Sequence, residues 1–247
     1  MEPKLNLPAH PTNAHSWQAL TTFHWLLLLL FCTGISSGYG QVKVADQKVE
    51  EVSKAFELHL NYPELTGKSD YSKINALIKN QFGNAGGIRE VMIAYYNEQA
   101  AALEKGAPLP STFKRDYEIF QPNDSLLCVV FHSFMYWSEA SHGQRRDEAL
   151  VIHLPSQRVL NADEIFTSRA VAQAKLPKII NQVLKADPRY ADCPGLDGPG
   201  SLEPFMDNFC LTKTSVIFYF RDNVLCSHEA NNPSIEIPLE QLKGLLR

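Results

Sequence analysis

The stretch Ser125 to Trp137, SLLCVVFHSFMYW, leaves the chain few architectures. It has neither Gly nor Pro and is rich in aromatic, long apolar and β-branched side chains. Such a run reads as a central strand, buried on both faces near its start. A chain of 247 residues that is 45% hydrophobic and 20% charged can bury a core around that strand. Its Phe, Tyr and Leu content excludes a mainly disordered chain. Its 15 Pro and 13 Gly are scattered, which excludes a coiled coil or a collagen-like rod.

Around the central strand the pattern alternates between two periods. Phe56, Leu58, Leu60 and Tyr62 interleave with Glu57, His59 and Asn61, which predicts a half-buried strand that Pro63 ends. Asp70 is placed to cap a helix whose Ile74, Leu77, Ile78 and Phe82 share one face, with Gly83, Gly86 and Gly87 breaking it. A second helix is expected from Ile88 to Lys105, with Val91, Met92, Tyr95 and Leu103 as its apolar positions, closed by Pro108 and Pro110. Tyr117 and Ile119 precede a turn at Pro122, Asn123 and Asp124. After the central strand come a polar turn (Ser141, His142, Gly143), a strand from Ala149 to Leu154, and a short return through Val159 and Leu160.

A third helix is expected from about Ser168 to Ala186, with Pro177 implying a kink or a later start. Asp187 to Pro204 is long for a loop, so it is either functional or held by Cys193. Phe209–Leu211 and Val216–Phe220 read as a hairpin. Ile235 and Ile237 form a last strand, and Pro238 opens a helix carrying Leu239, Leu242, Leu245 and Leu246. Local runs of strands and helices, without strict alternation, predict an α+β fold: a mostly antiparallel sheet with helices packed on one face. Residues 41–247 are expected to be a single domain with a front half (41–110) and a back half (111–247). The front half has too few strands to close a core alone.

The first 40 residues carry an address. Trp25 to Ile35 (WLLLLLFCTGI) is too short to cross a bilayer as a helix, but suits the apolar core of a secretory signal. The small residues Gly34, Ser36, Ser37, Gly38 and Gly40 follow it. Residues 1–40 are therefore read as a signal peptide or a short membrane anchor, and the remainder as extracytoplasmic, periplasmic or secreted. A lipid-anchored module acylated at Cys32 is an alternative, though the bulky Phe31 before it fits that signal poorly.

Removing those residues leaves Cys128, Cys193, Cys210 and Cys226, an even set with three possible connectivities in an oxidising compartment. Cys193, Cys210 and Cys226 are the disulfide candidates, and Cys128 reads as a buried hydrophobe within the central strand. With 23 basic against 27 acidic residues, the chain lacks the positive excess of a general nucleic-acid binder, and no nucleic-acid partner is expected.

The order of several short motifs then carries a resemblance. NYPELTG and SKINALIKNQF come first, and later a long apolar strand runs into a turn with SHG. HLPSQRVLNADEIF, FCLTKTSVIFYF and IEIPLEQLKGLL follow. From about Phe56 to Leu246 the chain resembles the extracytoplasmic domain of unknown function shared by the anti-sigma factor RsiV and many exported bacterial proteins. The front half of that domain also occurs ahead of some peptidoglycan deacetylases. The resemblance implies an exported α+β binding or sensing domain without an active site. Its partner would be an envelope protein, as RsiV recognises lysozyme, or a cell-wall glycan.

Candidate chemistry is sparse. Tyr136, Trp137, Glu139 and His142 gather at one turn and could form a binding rim of aromatic faces and polar tips, the competing reading being ordinary packing. Asp163 and Glu164 could be a paired-carboxylate acid/base site. In the resembling family they occupy the turn before Phe166, where Asp163 would cap a short helix. Gly198-Pro199-Gly200-Ser201 resembles a nucleophile elbow only superficially. His59, His132, His142, His153 and His228 have no metal-ligand spacing, and no metal or other cofactor is expected. The enzymatic alternative is an envelope polysaccharide hydrolase or deacetylase, which needs His142, Asp163, Glu164 and His228 in one cleft.

Overall fold

Leu126–Tyr136 forms the central strand, buried from Leu127 to Phe131. The structure is a computed structural model that describes residues 42–103, 106–191, 193–226 and 234–247. The apolar run at 25–35, Cys32 and His228 lie outside the described residues. In chain order the six strands of the larger sheet are β1 (Lys43–Val52), β2 (Phe56–Thr66), β3 (Ser111–Asn123), β4 (Leu126–Tyr136), β5 (Gln144–His153) and β6 (Arg158–Leu160). They lie side by side in sequence order. Only β2 and β3 run parallel, joined through helices α1 (Ser72–Phe82) and α2 (Ala85–Ala102). After β6 come a short helix α3 (Ala162–Ile165), the long α4 (Arg169–Ala186) and a second short helix, α5 (Pro199–Leu202). A three-stranded antiparallel sheet completes the fold: β7 (Phe209–Leu211), β8 (Ser215–Tyr219) and β9 (Ser234–Pro238).

Side-chain alternation along β4 assigns its two faces to different cores. Leu127, Val129 and Phe131 pack with Leu150 and Ile152 of β5 against Ile74, Ile78 and Phe82 of α1. The Phe82 and Phe131 rings stack with centroids 3.7 Å apart. Cys128 and Val130 face the other way, into a larger core built with Ala149 and Val151, the small sheet, and Ala172, Leu176, Ile180 and Leu184 of α4. A third cluster seats Met92 and Tyr96 of α2 on Phe56, Leu58, Leu60 and Phe113. The α+β class and the mostly antiparallel sheet are as expected. Helices α1 and α2 share one face, and part of the opposite face is covered by a second sheet with α4 packed beside it, so the helices do not all lie on one face.

Local differences from the sequence reading have plain causes. Strand β1 (KVADQKVEEV) is almost wholly exposed and lacks apolar alternation; its backbone pairing to β2 from Lys43↔Thr66 to Val52↔Glu57 makes it a strand. β2 does not end at Pro63. Its pairing to β3 stops at Leu60↔Arg115, so Pro63 falls where the ladder continues on one side, a position that tolerates the missing donor. Gly86 and Gly87 do not interrupt a helix but sit in the first turn of α2, where the Asn84 side chain accepts the Gly87 N–H at 3.0 Å. The buried stripe of α2 is Met92 and Tyr96, while Val91 is 57% exposed.

Helix α4 begins at a cap on Ser168 and includes the buried Pro177, so it does not start later at the proline. After Pro238 the chain makes only a short 3-10 turn, Leu239–Leu242, and Leu246 then bridges to Phe166.

Candidate functional site

The second sheet covers only part of the β4 face that carries Cys128 and Val130. Beyond it, the same face stays open as a groove of about 750 Å³. Strand registers define its floor. One row across five strands is Glu50, His59, Lys114, Phe134 and Arg145, each opposite the next. The adjacent row is Lys48, Asn61, Asp116, His132 and Asp147. In that row Asn61 Nδ2 donates to Asp116 Oδ1 at 2.8 Å, which carries it across the parallel junction between β2 and β3. All ten residues line the groove.

Charge in the groove is organised rather than simply positive or negative. His132 Nδ1 lies 2.9 Å from Asp147 Oδ1, and its Nε2 is 3.9 Å from Glu118. The hydrogen bond to Asp147 raises the His132 pKa above the ordinary imidazole value, against the opposing pull of burial. Within the second row, His132 and Asp147 pair with each other. The first row presents Lys114 and Arg145 on either side of the Phe134 ring.

The small sheet is tied to β5 beside the groove. Asn208, just before β7, accepts the Ala149 N–H at 2.8 Å and donates to the carbonyls of Asp147 at 2.9 Å and Tyr219 at 3.0 Å. Asp222, after β8, accepts the Arg145 N–H at 3.2 Å. At the open end, a Cβ on Gly143 would come within 2.3 Å of the Phe134 ring. The turn glycine is what lets that aromatic ring lie in the floor.

The four residues proposed as a binding rim do not converge on this groove. Trp137 packs on Tyr95 of α2 with centroids 4.8 Å apart, on the helix-covered side of the sheet. Glu139 adopts a left-handed backbone (φ 62°) and accepts the Leu109 N–H at 3.4 Å. Tyr136 ends β4, and His142 is exposed in the turn, its Nδ1 3.2 Å from the Gly143 carbonyl. Sequence reasoning placed His59 and His132 on strands but missed their shared groove. The available signal was the polar parity on three strands: His59 and Asn61, Lys114 and Asp116, Arg145 and Asp147.

The cysteines divide differently from the expectation. Cys193 and Cys226 are disulfide-bonded with Cα atoms 4.7 Å apart, fastening the long loop after α4 to the chain beyond β8. Cys210 is not in a disulfide, which corrects its place among the candidates. β7 turns it into the core between the sheets, where the neighbouring Leu211 N–H donates to Cys128 Sγ at 3.1 Å. The contact with Cys128, together with burial, pushes the Cys210 thiol well above its ordinary pKa.

The carboxylates weighed as an acid/base pair are both engaged at helix ends. Glu164 pairs with Arg158 and accepts the Asn161 N–H at 3.2 Å, so Asn161 and Glu164 form the capping box of α3. Asp163 is not the cap; it lies 3.8 Å from Arg169. Ser201 sits in α5 with its hydroxyl donating to the Gly198 carbonyl at 2.7 Å. Among the described residues no three His, Cys, Asp or Glu side chains cluster as metal ligands, and no helix is long and apolar enough to cross a membrane.

No family model and no curated protein matches the chain. Solved structures do. A member of the DUF3298 family from Bacteroides fragilis matches 85% of this chain and 95% of its own, with a TM-score of 0.62 at 17% identity. The fold is that of DUF3298 proteins. A second DUF3298 family protein, from Pseudomonas aeruginosa, matches 84% of this chain and 94% of its own, with a TM-score of 0.53 at 13% identity. At these identities the likeness to the DUF3298 proteins is one of fold.

Proposed function

We propose that the chain is an exported, non-enzymatic binding domain of the bacterial cell envelope, and that the groove across β1–β5 is its ligand surface. The observation that carries this reading is the pair of five-residue rows. The face of β4 and β5 that is apolar under the small sheet turns polar, charged and aromatic where it is open, and the two polar rows run in register across five strands. Residues 41–247 would act as one domain. The RsiV-like motifs favour an envelope protein, such as a lysozyme, or a cell-wall glycan as partner. The mixed charges of Lys114, Arg145, Asp116 and Glu50 suit a polar partner with groups of both signs.

Two observations support export. The Cys193–Cys226 disulfide suits an oxidising compartment, and the apolar run at 25–35 followed by small residues reads as a secretory signal.

Retention of lysozyme and of peptidoglycan fragments on immobilised protein tests the reading, with the double variant K114E/R145E alongside. The wild type should retain one of these partners and the folded variant should lose it. Equal retention by both, or retention of neither partner, overturns the groove as the ligand surface. Fractionation of the producing cells tests export separately.

A further inference from the structure

On the opposite face of the same sheet, a smaller pocket of about 330 Å³ opens between the end of α1, the start of α2 and strands β3 and β4. Its walls include Ile88, Val91, Phe113, Met135 and Trp137, and Arg115 lies in it. The Arg115 guanidinium is clamped between two rings, 5.3 Å from the Phe82 centroid and 5.0 Å from that of Phe113. Its Nε donates to Ser133 Oγ at 2.9 Å and its Nη1 to the Phe82 carbonyl at 2.8 Å. Both partners are neutral.

A guanidinium has five N–H donors and a permanent charge, and one withdrawn from water is ordinarily matched by a carboxylate. Among the described residues no carboxylate lies within ion-pair distance of Arg115. Glu148, the acid whose charge it feels, is bonded to Arg146 at 2.8 Å. The start of α2, through Asn84 and Gly87, also borders the pocket and adds the positive end of an 18-residue helix. Cation, helix end and apolar walls therefore converge on one small space.

We infer that this pocket binds an organic carboxylate bearing a short apolar group, with Arg115 taking the carboxylate and Phe113, Met135, Trp137 and Val91 enclosing the apolar part. A peptide C-terminus and a free amphiphilic acid share this chemistry. The inference does not rest on the groove, which lies on the other face of the sheet.

Calorimetric titration of the full chain with N-acetyl-L-leucine, N-acetyl-L-leucinamide and acetate tests it. The acid should bind at least tenfold more tightly than the amide, which lacks the charge, and than acetate, which lacks the apolar group. Val91 is largely exposed, so V91E should leave the thermal melt in place while its carboxylate, competing at the rim, weakens the acid at least tenfold. R115K keeps a charge but loses the planar fork and should also weaken the acid.

A tetrapeptide ending in leucine separates the sources. Tighter binding than N-acetyl-L-leucine points to a chain end, and equal binding to a free acid. Equal affinity for acid and amide, no heat with any probe, or unaltered binding in the folded V91E protein would overturn the assignment.

Discussion

Asn208 is bonded to Ala149 across the two sheets: its side-chain oxygen accepts the Ala149 N–H at 2.8 Å. Its amide nitrogen meanwhile donates to the carbonyls of Asp147 and Tyr219. One side chain thus occupies three backbone groups where β5 meets the small sheet. Replacing it with Ala leaves these partly buried groups without that partner, which costs about 2 kcal/mol. Urea unfolding of N208A should show a lower midpoint with an unaltered slope.

His132 and Asp147 give the groove a pH signature. The folded pKa of His132 is raised, so its pairing stabilises the fold fully below the unfolded imidazole value of about 6.5. That contribution fades as pH rises through the higher folded value. An NMR titration should place His132 above an unperturbed histidine, and D147N should bring it down. A His132 that titrates below the free value contradicts the arrangement.

The Cys193–Cys226 bond closes a span with a sequence separation of 33. Chain-entropy arguments put its contribution at about 3–4 kcal/mol. C193S/C226S should therefore unfold at markedly lower denaturant, and a reducing agent should destabilise the wild type but not the variant. Cys128 and Cys210 should react with thiol reagents only after unfolding.

Gly143→Ala should disturb the groove more than the fold. The added methyl meets the Phe134 ring and must displace it, at an overpacking cost of about 1 kcal/mol. The expected result is weaker ligand retention with a small shift in melting temperature. Unaltered retention would remove Phe134 from the binding surface.

At the start of α3 the two acidic neighbours should separate cleanly. E164A removes the Arg158 pair and the Asn161 contact and should lower the thermal midpoint; D163A should leave it close to wild type. Parallel melts of the two variants decide this.

The central strand, α1 and α4 were legible because their apolar spacing is the direct imprint of burial: Leu127 to Phe131, Ile74 to Phe82, Ala172 to Leu184. Strand β1 was not, because its side chains face solvent and its structure comes from β2's backbone. The groove escaped for a related reason. His59, Lys114 and His132 become neighbours only through strand register, which pairs residues from distant parts of the chain. Trp137 drew attention as an aromatic beside a turn, yet its ring is held by Tyr95 of α2, a contact that only the packing of α2 on the sheet creates.

The parallel pairing of β2 with β3 has a kinetic consequence. β3, β4 and β5 can zip together from adjacent turns, but β2 must return across two helices to meet β3; Asn61 and Asp116 are 55 positions apart. Closing so long an excursion is slow compared with forming a hairpin. The β1–β2 ribbon therefore docks late, and both rows of the groove cross that seam. During refolding, capture of a partner should appear only after most secondary structure has formed, so that ligand uptake reports the last step of assembly.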